Sequence, residues 1–306
     1  MKIFVEKRMM GRVNYPKLIE KFPKVEFVDN LDGHEDVEAL IIMNSTLNKL
    51  DLDKFIRLRW IQLLMAGYDN VDINYIKSKR ILITNARDVF SISIAEDVIS
   101  KILYFNRNMK YYQDCMNDKV WNPISKEPEI FNSTVGILGS GSIGKELAKR
   151  FKAFGVEQIF GYKKSKDKPE NFDQIFNDEE GLETILKSSD YIIIALPLTK
   201  DTKNLINSER LQLLKPNALI VNVARGEIID QEALIKCLKQ KQIRGAGLDV
   251  TTPEPLPKDS ELWSLDNVYI TPHNASSSPY MKDRLFELTL MNLERFLNNH
   301  KLKYLI

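Results

Sequence analysis

Apolar residues in the first part of the chain form short runs that alternate with stretches of helical periodicity. Short continuous apolar runs are typical of buried parallel strands, and apolar positions every three or four residues are typical of helices. The alternation predicts a parallel sheet with helices on both faces. The predicted strands are residues 2–6, 25–28, 39–43 and 80–84, and the predicted helices are residues 15–21, 50–58 and 93–109.

The second part of the chain repeats this alternation more clearly. Six strands with crossover helices between them suit a complete dinucleotide-binding fold. A last amphipathic helix is predicted over residues 282–298. The six strands are residues 134–138, 158–160, 191–194, 218–221, 245–248 and 268–271, and the clearest helices between them are residues 144–154 and 231–239.

Length and composition narrow the class of protein. A chain of 306 residues, 43% apolar and 28% charged, predicts two domains with sizeable cores. The formal net charge of +2 argues against nucleic-acid binding by bulk electrostatics. No apolar run is long enough to span a membrane. The two cysteines lack metal or redox spacing, so we expect a cytoplasmic protein without a metal site.

A glycine loop lies between a predicted strand and a predicted helix. The sequence Gly139-Ser-Gly141-Ser142-Ile143-Gly144 has the spacing G-x-G-x-x-G in the context that the motif needs. Gly139 permits a tight turn, Gly141 allows close approach of a pyrophosphate, and Gly144 allows the helix to pack on the strand. Ser142 and Ile143 begin the helix whose N-terminus would bind the phosphates.

The residues after the next strand bear on the choice of cofactor. An NAD-binding fold usually presents a carboxylate here for the ribose 2′-hydroxyl, but this chain has Lys163, Lys164 and Ser165. Ammonium and hydroxyl groups attract a 2′-phosphate, so the loop favours NADP(H). The alternative is that the strand ends elsewhere and that Asp167 supplies the acid for NAD.

Several linked motifs occur in the order that is typical of one family. They are residues 66–72, 133–144, 196–199, 202–206, 222–226, 248–257 and 271–273. With them the chain resembles the D-isomer-specific 2-hydroxyacid dehydrogenase family, most clearly from Trp60 to Asn274.

The resemblance implies two doubly wound parallel-sheet domains, Rossmann-like and flavodoxin-like, with an active-site cleft between them. The substrate domain would comprise residues 1–95 and 278–306, and the dinucleotide-binding domain residues 96–277. A homodimer built through the cofactor domain is also implied. The further cofactor-binding residues are then Pro197, Thr202, Val223, Ala224 and Asp249, and the backbone N–H groups that bind the substrate carboxylate are those of Ala66, Gly67 and Tyr68.

Three residues in these motifs have the chemistry that reduction of a 2-oxo acid requires. Arg225 has a permanently charged guanidinium that binds a carboxylate in a fork and polarises a carbonyl. The imidazole of His273 exchanges a proton near neutral pH, which suits a proton donor. Glu254 is placed to bond the far nitrogen of that ring and orient it.

The sequence therefore predicts an oxidoreductase that transfers a hydride between NADPH and a small 2-oxo acid, giving a D-2-hydroxy acid. Glyoxylate, hydroxypyruvate and larger 2-oxo acids remain open as substrates. Two alternatives remain: an NAD-dependent 2-hydroxyacid or phosphoglycerate-type dehydrogenase, and a non-catalytic nucleotide-sensing scaffold or corepressor. The presence of Arg225, Glu254 and His273 together favours an enzyme.

Overall fold

The computed structural model describes residues 1–306 and divides them into two compact units. The first unit comprises Met1–Phe90 and Ser278–Ile306, and the second comprises Ser91–Ser277. Each unit is built on one sheet in which all neighbouring strands are parallel, which confirms the predicted α/β class. The chain passes from the first unit to the second between Phe90 and Ser91. This first crossing comes a few residues before the predicted one near Ala95, because Ala95 lies inside a helix that begins at Ser91. None of the helices combines the length and apolar character needed to cross a membrane.

The first unit has a five-stranded sheet whose strand order is β2-β1-β3-β4-β5. This is the flavodoxin-like order, and β3 and β4 at its centre are buried along their whole length. The elements up to the crossing are β1 (Lys2–Val5), α1 (Lys7–Lys21), β2 (Glu26–Val28), β3 (Ala39–Ile42), α2 (Asn44–Leu47), β4 (Trp60–Leu63), α3 (Ile73–Ser78) and β5 (Leu82–Thr84).

Two predictions for this unit need correction. The helix expected over residues 50–58 is wrong: only Leu52–Lys54 forms a 3₁₀ turn, and the Asp51 carboxylate bonds the backbone N–H of Asp53 at 3.1 Å. Leu52, Phe55 and Leu58 of this segment are buried from successive turns instead, whereas Ile56 is exposed. Strand β4 was not predicted, because the buried Gln62 interrupts its apolar run.

The second unit has a seven-stranded sheet with the order β12-β11-β10-β9-β6-β7-β8. The order reverses between β6 and β9, which is the switch point where doubly wound folds bind ligands. Its elements are α4 (Ser91–Asn106), α5 (Met109–Asp118), β6 (Thr134–Leu138), α6 (Ser142–Ala153), β7 (Gln158–Tyr162), β8 (Gln174–Phe176), α7 (Glu179–Ser188), β9 (Tyr191–Ile194), α8 (Ser208–Leu211), β10 (Leu219–Asn222), α9 (Gln231–Lys239), β11 (Gly245–Leu248) and β12 (Val268–Ile270).

All six predicted strands of this unit are present, and the structure adds the short edge strand β8. Helix α7 was not predicted, although its first turn is capped by a bond of 2.8 Å from Gly181 N to Asp178 Oδ1. The helix expected over residues 93–109 ends at Asn106. Asn108 has a left-handed backbone with φ of 47°, which separates α4 from α5.

The last helix, α10 (Met281–Leu297), belongs to the first unit and confirms the helix predicted near the C-terminus. It packs against α1. Asn14 Nδ2 donates to Asp283 Oδ1 at 3.0 Å, and the Lys21 ammonium lies 2.7 Å from the Glu294 carboxylate. The chain thus returns to complete the core of the unit in which it began.

Candidate functional site

The glycine loop connects β6 to α6 at the switch point of the second sheet. Gly139 has a φ of 110°, and a Cβ there would lie 2.5 Å from the Ala195 carbonyl oxygen. A Cβ at Gly144 would lie 2.2 Å from the Gly139 carbonyl oxygen, so both positions require glycine. Gly141 is the N-cap of α6 and has no side chain with which to cap it. The loop therefore fits the pyrophosphate of a dinucleotide, held by the backbone at the helix N-terminus.

The lysine loop, residues 163–167, begins where β7 ends beside the glycine loop, since Gly139 N donates to Tyr162 O at 2.9 Å. Lys163 Nζ donates to Asp167 Oδ2 at 2.6 Å. This bond, followed by one from the Ser165 hydroxyl, lowers the pKa of Asp167 to about 2. Lys163, on which the NADP hypothesis rests, and Asp167, on which the NAD hypothesis rests, are therefore bonded to each other in one loop.

A second carboxylate reaches the lysine loop from the segment after β9. Lys164 Nζ donates to Asp201 Oδ2 at 2.7 Å, and both side chains are exposed. The hydrogen bond to Asp201 raises the pKa of Lys164 and lowers that of Asp201. Sequence reasoning missed Asp201, because no local pattern connects it with Lys164.

The segment after β9 also contains Pro197 and Thr202. Thr202 is buried, its hydroxyl donates to Pro197 O at 2.7 Å, and Thr199 N donates to the same hydroxyl at 2.8 Å. Ala195 N donates to Leu138 O at 2.7 Å, which holds the start of this segment beside the strand that leads into the glycine loop. Pro197 and Thr202, both predicted to bind the cofactor, thus lie in one hydrogen-bonded turn near the glycine loop.

Arg225 follows β10 in a turn that is braced by Asn222. The buried Asn222 amide donates from Nδ2 to Arg225 O at 2.8 Å and accepts from Ala224 N at 3.0 Å. Val223 and Ala224 are buried, whereas Arg225 is half-buried and its Nη1 donates to Ala224 O at 2.7 Å. Asn222 is a positioning residue that the sequence analysis did not assign.

His273 and Glu254 are in direct contact. The distance from His273 Nδ1 to Glu254 Oε2 is 2.8 Å, and Glu254 Oε1 accepts a bond of 3.1 Å from Thr251 N. The glutamate is therefore held in place from its own loop while it orients the imidazole. Both side chains are partly exposed, so a small substrate can reach the ring.

Asp249, directly after β11, holds the loop on which His273 lies. Its main-chain oxygen accepts from His273 N at 2.8 Å, and His273 has a left-handed φ of 51°. The buried carboxylate accepts bonds from Thr271 Oγ1 at 2.6 Å, Asn274 N at 3.0 Å and Ala275 N at 3.1 Å. With these bonds Asp249 anchors the loop that carries His273.

The predicted substrate loop lies in the first unit, after β4. Asn85 Nδ2 donates to Ala66 O at 2.7 Å, and Asn44 Nδ2 donates to Gly67 O at 2.8 Å. In a trans peptide the N–H points opposite to the C=O, so the N–H groups of Gly67 and Tyr68 point away from these asparagines. Asn44 and Asn85 orient the loop, and the sequence analysis missed both. The Tyr68 ring is exposed.

In the second unit the predicted residues meet at one edge of the sheet, because each follows the carboxyl end of a parallel strand. The glycine loop follows β6, the lysine loop β7, and Arg225 follows β10. Glu254 and His273 come after β11 and β12 and are the pair in contact. This edge therefore combines a dinucleotide cradle, a guanidinium and an oriented imidazole, which together suit transfer of a hydride and a proton.

Comparisons with known proteins agree with this chemistry. Residues 99–275 match the family model of the D-isomer specific 2-hydroxyacid dehydrogenase NAD-binding domain. A glyoxylate reductase of Pyrococcus furiosus is 36% identical over 277 residues, which cover 87% of this chain and 81% of that protein.

Two solved structures share the fold over nearly the whole chain. A D-isomer specific 2-hydroxyacid dehydrogenase of Xanthobacter autotrophicus, in complex with NADPH and MES, has a TM-score of 0.83 and 26% identity, covering 100% of this chain and 97% of that one. A D-lactate dehydrogenase of Aquifex aeolicus, complexed with NAD and lactic acid, has a TM-score of 0.77 and 26% identity, covering 98% and 96%.

The predicted family is thereby confirmed, and so is the nicotinamide cofactor, although relatives carry either form of it. The chain belongs to the D-isomer-specific 2-hydroxyacid dehydrogenase family and is an NAD(P)-dependent oxidoreductase that interconverts a 2-oxo acid and a 2-hydroxy acid.

Proposed function

We propose that this enzyme reduces a small 2-oxo acid, such as glyoxylate or hydroxypyruvate, with NADPH, and that Arg225, Glu254 and His273 carry the reaction. The observation that supports the proposal most is the 2.8 Å contact between His273 and Glu254, on a loop held by Asp249. The name of the Pyrococcus relative supports glyoxylate as the substrate class.

His273 is the proton donor in this proposal. Its Nδ1 faces Glu254, so Nε2 is the nitrogen that gives a proton to the carbonyl oxygen as negative charge develops there. The bound nicotinamide supplies the hydride to the carbonyl carbon. One proton and one hydride together convert the 2-oxo acid into the 2-hydroxy acid, and the histidine recovers its proton from solvent.

Arg225 binds the substrate carboxylate and polarises its carbonyl oxygen. A guanidinium forms paired hydrogen bonds with a carboxylate, and Asn222 holds the arginine backbone in position. The N–H groups of the loop Ala66, Gly67 and Tyr68 are proposed as the second anchor of that carboxylate.

The preference for NADPH rests on the lysine loop. Lys163, Lys164 and Ser165 follow β7 at the place where NAD-binding folds usually carry an acid. Asp167 and Asp201 now pair with the lysines, but both carboxylates are exposed, and ion pairs with an exposed partner contribute little to stability. A phosphate with two negative charges is a stronger partner for the ammonium groups and would displace these carboxylates.

Calorimetric titration of NADPH and NADH tests this preference. We expect wild-type protein to bind NADPH at least about tenfold more tightly than NADH. Lys163→Asp should reverse the order, because it places a carboxylate where the phosphate would lie. Lys187→Asp makes the same charge change on an exposed helix, α7, and should leave the preference unchanged.

Two outcomes would contradict these assignments separately. If wild-type protein binds NADH at least as tightly as NADPH, the NADP preference is wrong. The alternative then applies, in which Asp167 bonds the ribose 2′-hydroxyl and the enzyme is NAD-dependent. If NADPH binds but no 2-oxo acid in a series from glyoxylate to branched acids is reduced, the proposed substrate class is wrong.

A further inference from the structure

The loop that carries Glu254 leaves the protein interior just before the glutamate. Thr251 is buried, Thr252 is half-buried, and residues 253–255 are exposed. Thr251 is packed tightly, since a Cβ on Gly226 would lie 2.2 Å from its carbonyl oxygen. Exposed residues gain little free energy from burial, so hydrogen bonds from a neighbouring element are needed to fix the part of the loop that follows.

Gln231 forms hydrogen bonds with both main-chain groups of Thr252. Its Nε2 donates to Thr252 O at 2.6 Å, and its Oε1 accepts from Thr252 N at 2.8 Å. An amide side chain has the same donor and acceptor as a peptide group, so it pairs with one residue of main chain as a neighbouring strand would. The Thr252 hydroxyl is buried without a hydrogen-bond partner, which leaves this residue dependent on the two bonds to Gln231.

Gln231 is the first residue of α9, and this end of the helix is anchored. The Asp230 carboxylate caps the helix by accepting from Ala233 N at 3.1 Å, and Asp230 N donates to Ile206 O at 2.9 Å. Leu234, in the first turn, is buried in the core of the second unit. The glutamine therefore connects an exposed loop to a helix that the core holds in place.

The main chain that Gln231 holds leads directly to the glutamate. Glu254 follows Thr252 by two residues; its Oε1 accepts from Thr251 N at 3.1 Å, and its Oε2 lies 2.8 Å from His273 Nδ1. The glutamate side chain is partly exposed, so water competes for both of these bonds. They persist only if the main chain keeps the carboxylate within reach of its partners.

We propose that Gln231 is a positioning residue for Glu254. Its amide fixes the main chain of Thr252 against α9 and so keeps the Glu254 carboxylate within hydrogen-bond distance of His273. The catalytic consequence rests on the proposed function of Glu254 and His273. The structural consequence, a carboxylate whose place in the loop depends on Gln231, does not rest on that function.

Gln231→Met is the test variant, because methionine has a similar length and volume but forms neither bond. The Thr251 amide reports the place of Glu254, since the glutamate carboxylate is its acceptor. In amide hydrogen exchange, the protection factor of Thr251 should fall at least about tenfold in Gln231→Met, and by a similar factor in Glu254→Ala. Gln231→Glu keeps the acceptor for Thr252 N and loses the donor, so its protection factor should lie between those of wild type and Gln231→Met.

Turnover gives a second, independent measurement. The kcat for glyoxylate should fall about tenfold in Gln231→Met, because the proton donor is less well oriented. The KM for glyoxylate and the Kd for NADPH should change by less than about threefold. The groups proposed to bind these two molecules are held by other contacts, since Asn222 braces the Arg225 turn and the glycine loop follows β6.

The double variant Gln231→Met/Glu254→Ala separates positioning from a merely structural role. If Gln231 acts through Glu254, its substitution should lower kcat by less than about twofold once the glutamate is absent. A merely structural role would lower kcat by the same factor in both backgrounds. Gln240→Met is the matched control, because Gln240 is exposed at the other end of α9, and it should change neither measurement.

A wild-type protection factor for Thr251 in Gln231→Met, or an equal loss of kcat with and without Glu254, would overturn the proposal. If Thr251 loses protection as expected but Glu254→Ala keeps the wild-type kcat, Gln231 positions the loop and the proposed role of Glu254 fails. If Glu254→Ala lowers kcat and Gln231→Met does not, the proposed function stands and Gln231 has no positioning role.

Discussion

Hydrogen bonds hold His273 in position, and its ring is partly exposed. Its backbone is held by Asp249 and its Nδ1 by Glu254, with both distances 2.8 Å. A left-handed backbone is uncommon for a residue with a side chain, and here it directs the ring at the edge of the sheet. Asp249 thus fixes the main chain of His273 through its carbonyl oxygen, and Glu254 fixes the ring through its carboxylate.

Substitution of the proposed proton donor tests this arrangement. His273→Ala should lower kcat by about 10²–10⁴-fold while the Kd for NADPH changes little, since the cofactor cradle lies elsewhere on the sheet edge. Glu254→Gln should cost less, because the amide oxygen still accepts a bond from Nδ1. His300→Ala, outside the site, serves as the control. Near wild-type kcat in His273→Ala would remove the histidine from the mechanism.

At the scale of the elements, a buried polar chain joins two strands and the last helix of the first unit. Trp60 Nε1 donates to Thr84 Oγ1 at 2.9 Å, and the same hydroxyl donates to Gln62 Oε1 at 2.9 Å. Asn292 Nδ2 of α10 donates to that oxygen at 2.8 Å. Because these groups are buried, each bond fixes the register of its element against the others.

Gln62→Leu keeps the volume of the side chain and removes the shared acceptor. The hydroxyl of Thr84 and the amide of Asn292 would lose a partner, so the free energy of unfolding should fall by about 1–3 kcal/mol. Urea denaturation followed by circular dichroism measures the change. The exposed Gln113→Leu in α5 is the matched control and should leave the midpoint unchanged. An equal midpoint for Gln62→Leu would show that the chain of bonds adds nothing.

At the scale of the whole molecule, the second unit carries apolar side chains on its surface between the start of α5 and β6. Trp121 is 97% exposed, and Met116, Val120 and Phe131 are also exposed. Exposed apolar side chains close together in sequence are typical of a protein interface. They support the homodimer that the family resemblance implies, with a second copy of the chain as the partner.

Sedimentation velocity tests this assembly. At micromolar concentration we expect a species of twice the mass of the chain. Trp121→Ala combined with Phe131→Ser should shift the species toward the monomer, because the apolar contact area is lost. Trp263→Ala removes the other exposed tryptophan and should leave the mass unchanged. A wild-type protein that stays monomeric at these concentrations would contradict the predicted dimer.

Local patterns identified most of the second unit. Its six predicted strands are all present. Parallel strands that are buried on both faces consist of consecutive apolar residues, and such runs are visible in the sequence. Elements that depend on distant partners were missed. Strand β4 contains Gln62, whose polarity is compatible with burial only through Thr84 and Asn292. Residues 50–58 have helical spacing, but they form turns from which Leu52, Phe55 and Leu58 are buried, since tertiary contacts decide how a short apolar segment is covered.

The same division holds for the site. The sequence by itself determined the family and the glycine loop, and it led to the proposal of Arg225, Glu254 and His273 as reactive residues, because the chemistry of each is carried by its own side chain or by adjacent glycines. Only the tertiary structure decided what holds them: Asn222 bonds the Arg225 backbone, Asp249 bonds the His273 backbone, and Asp201 pairs with Lys164. These partners come from separate strands and helices, so their hydrogen bonds and charges act on the site only after the chain has folded.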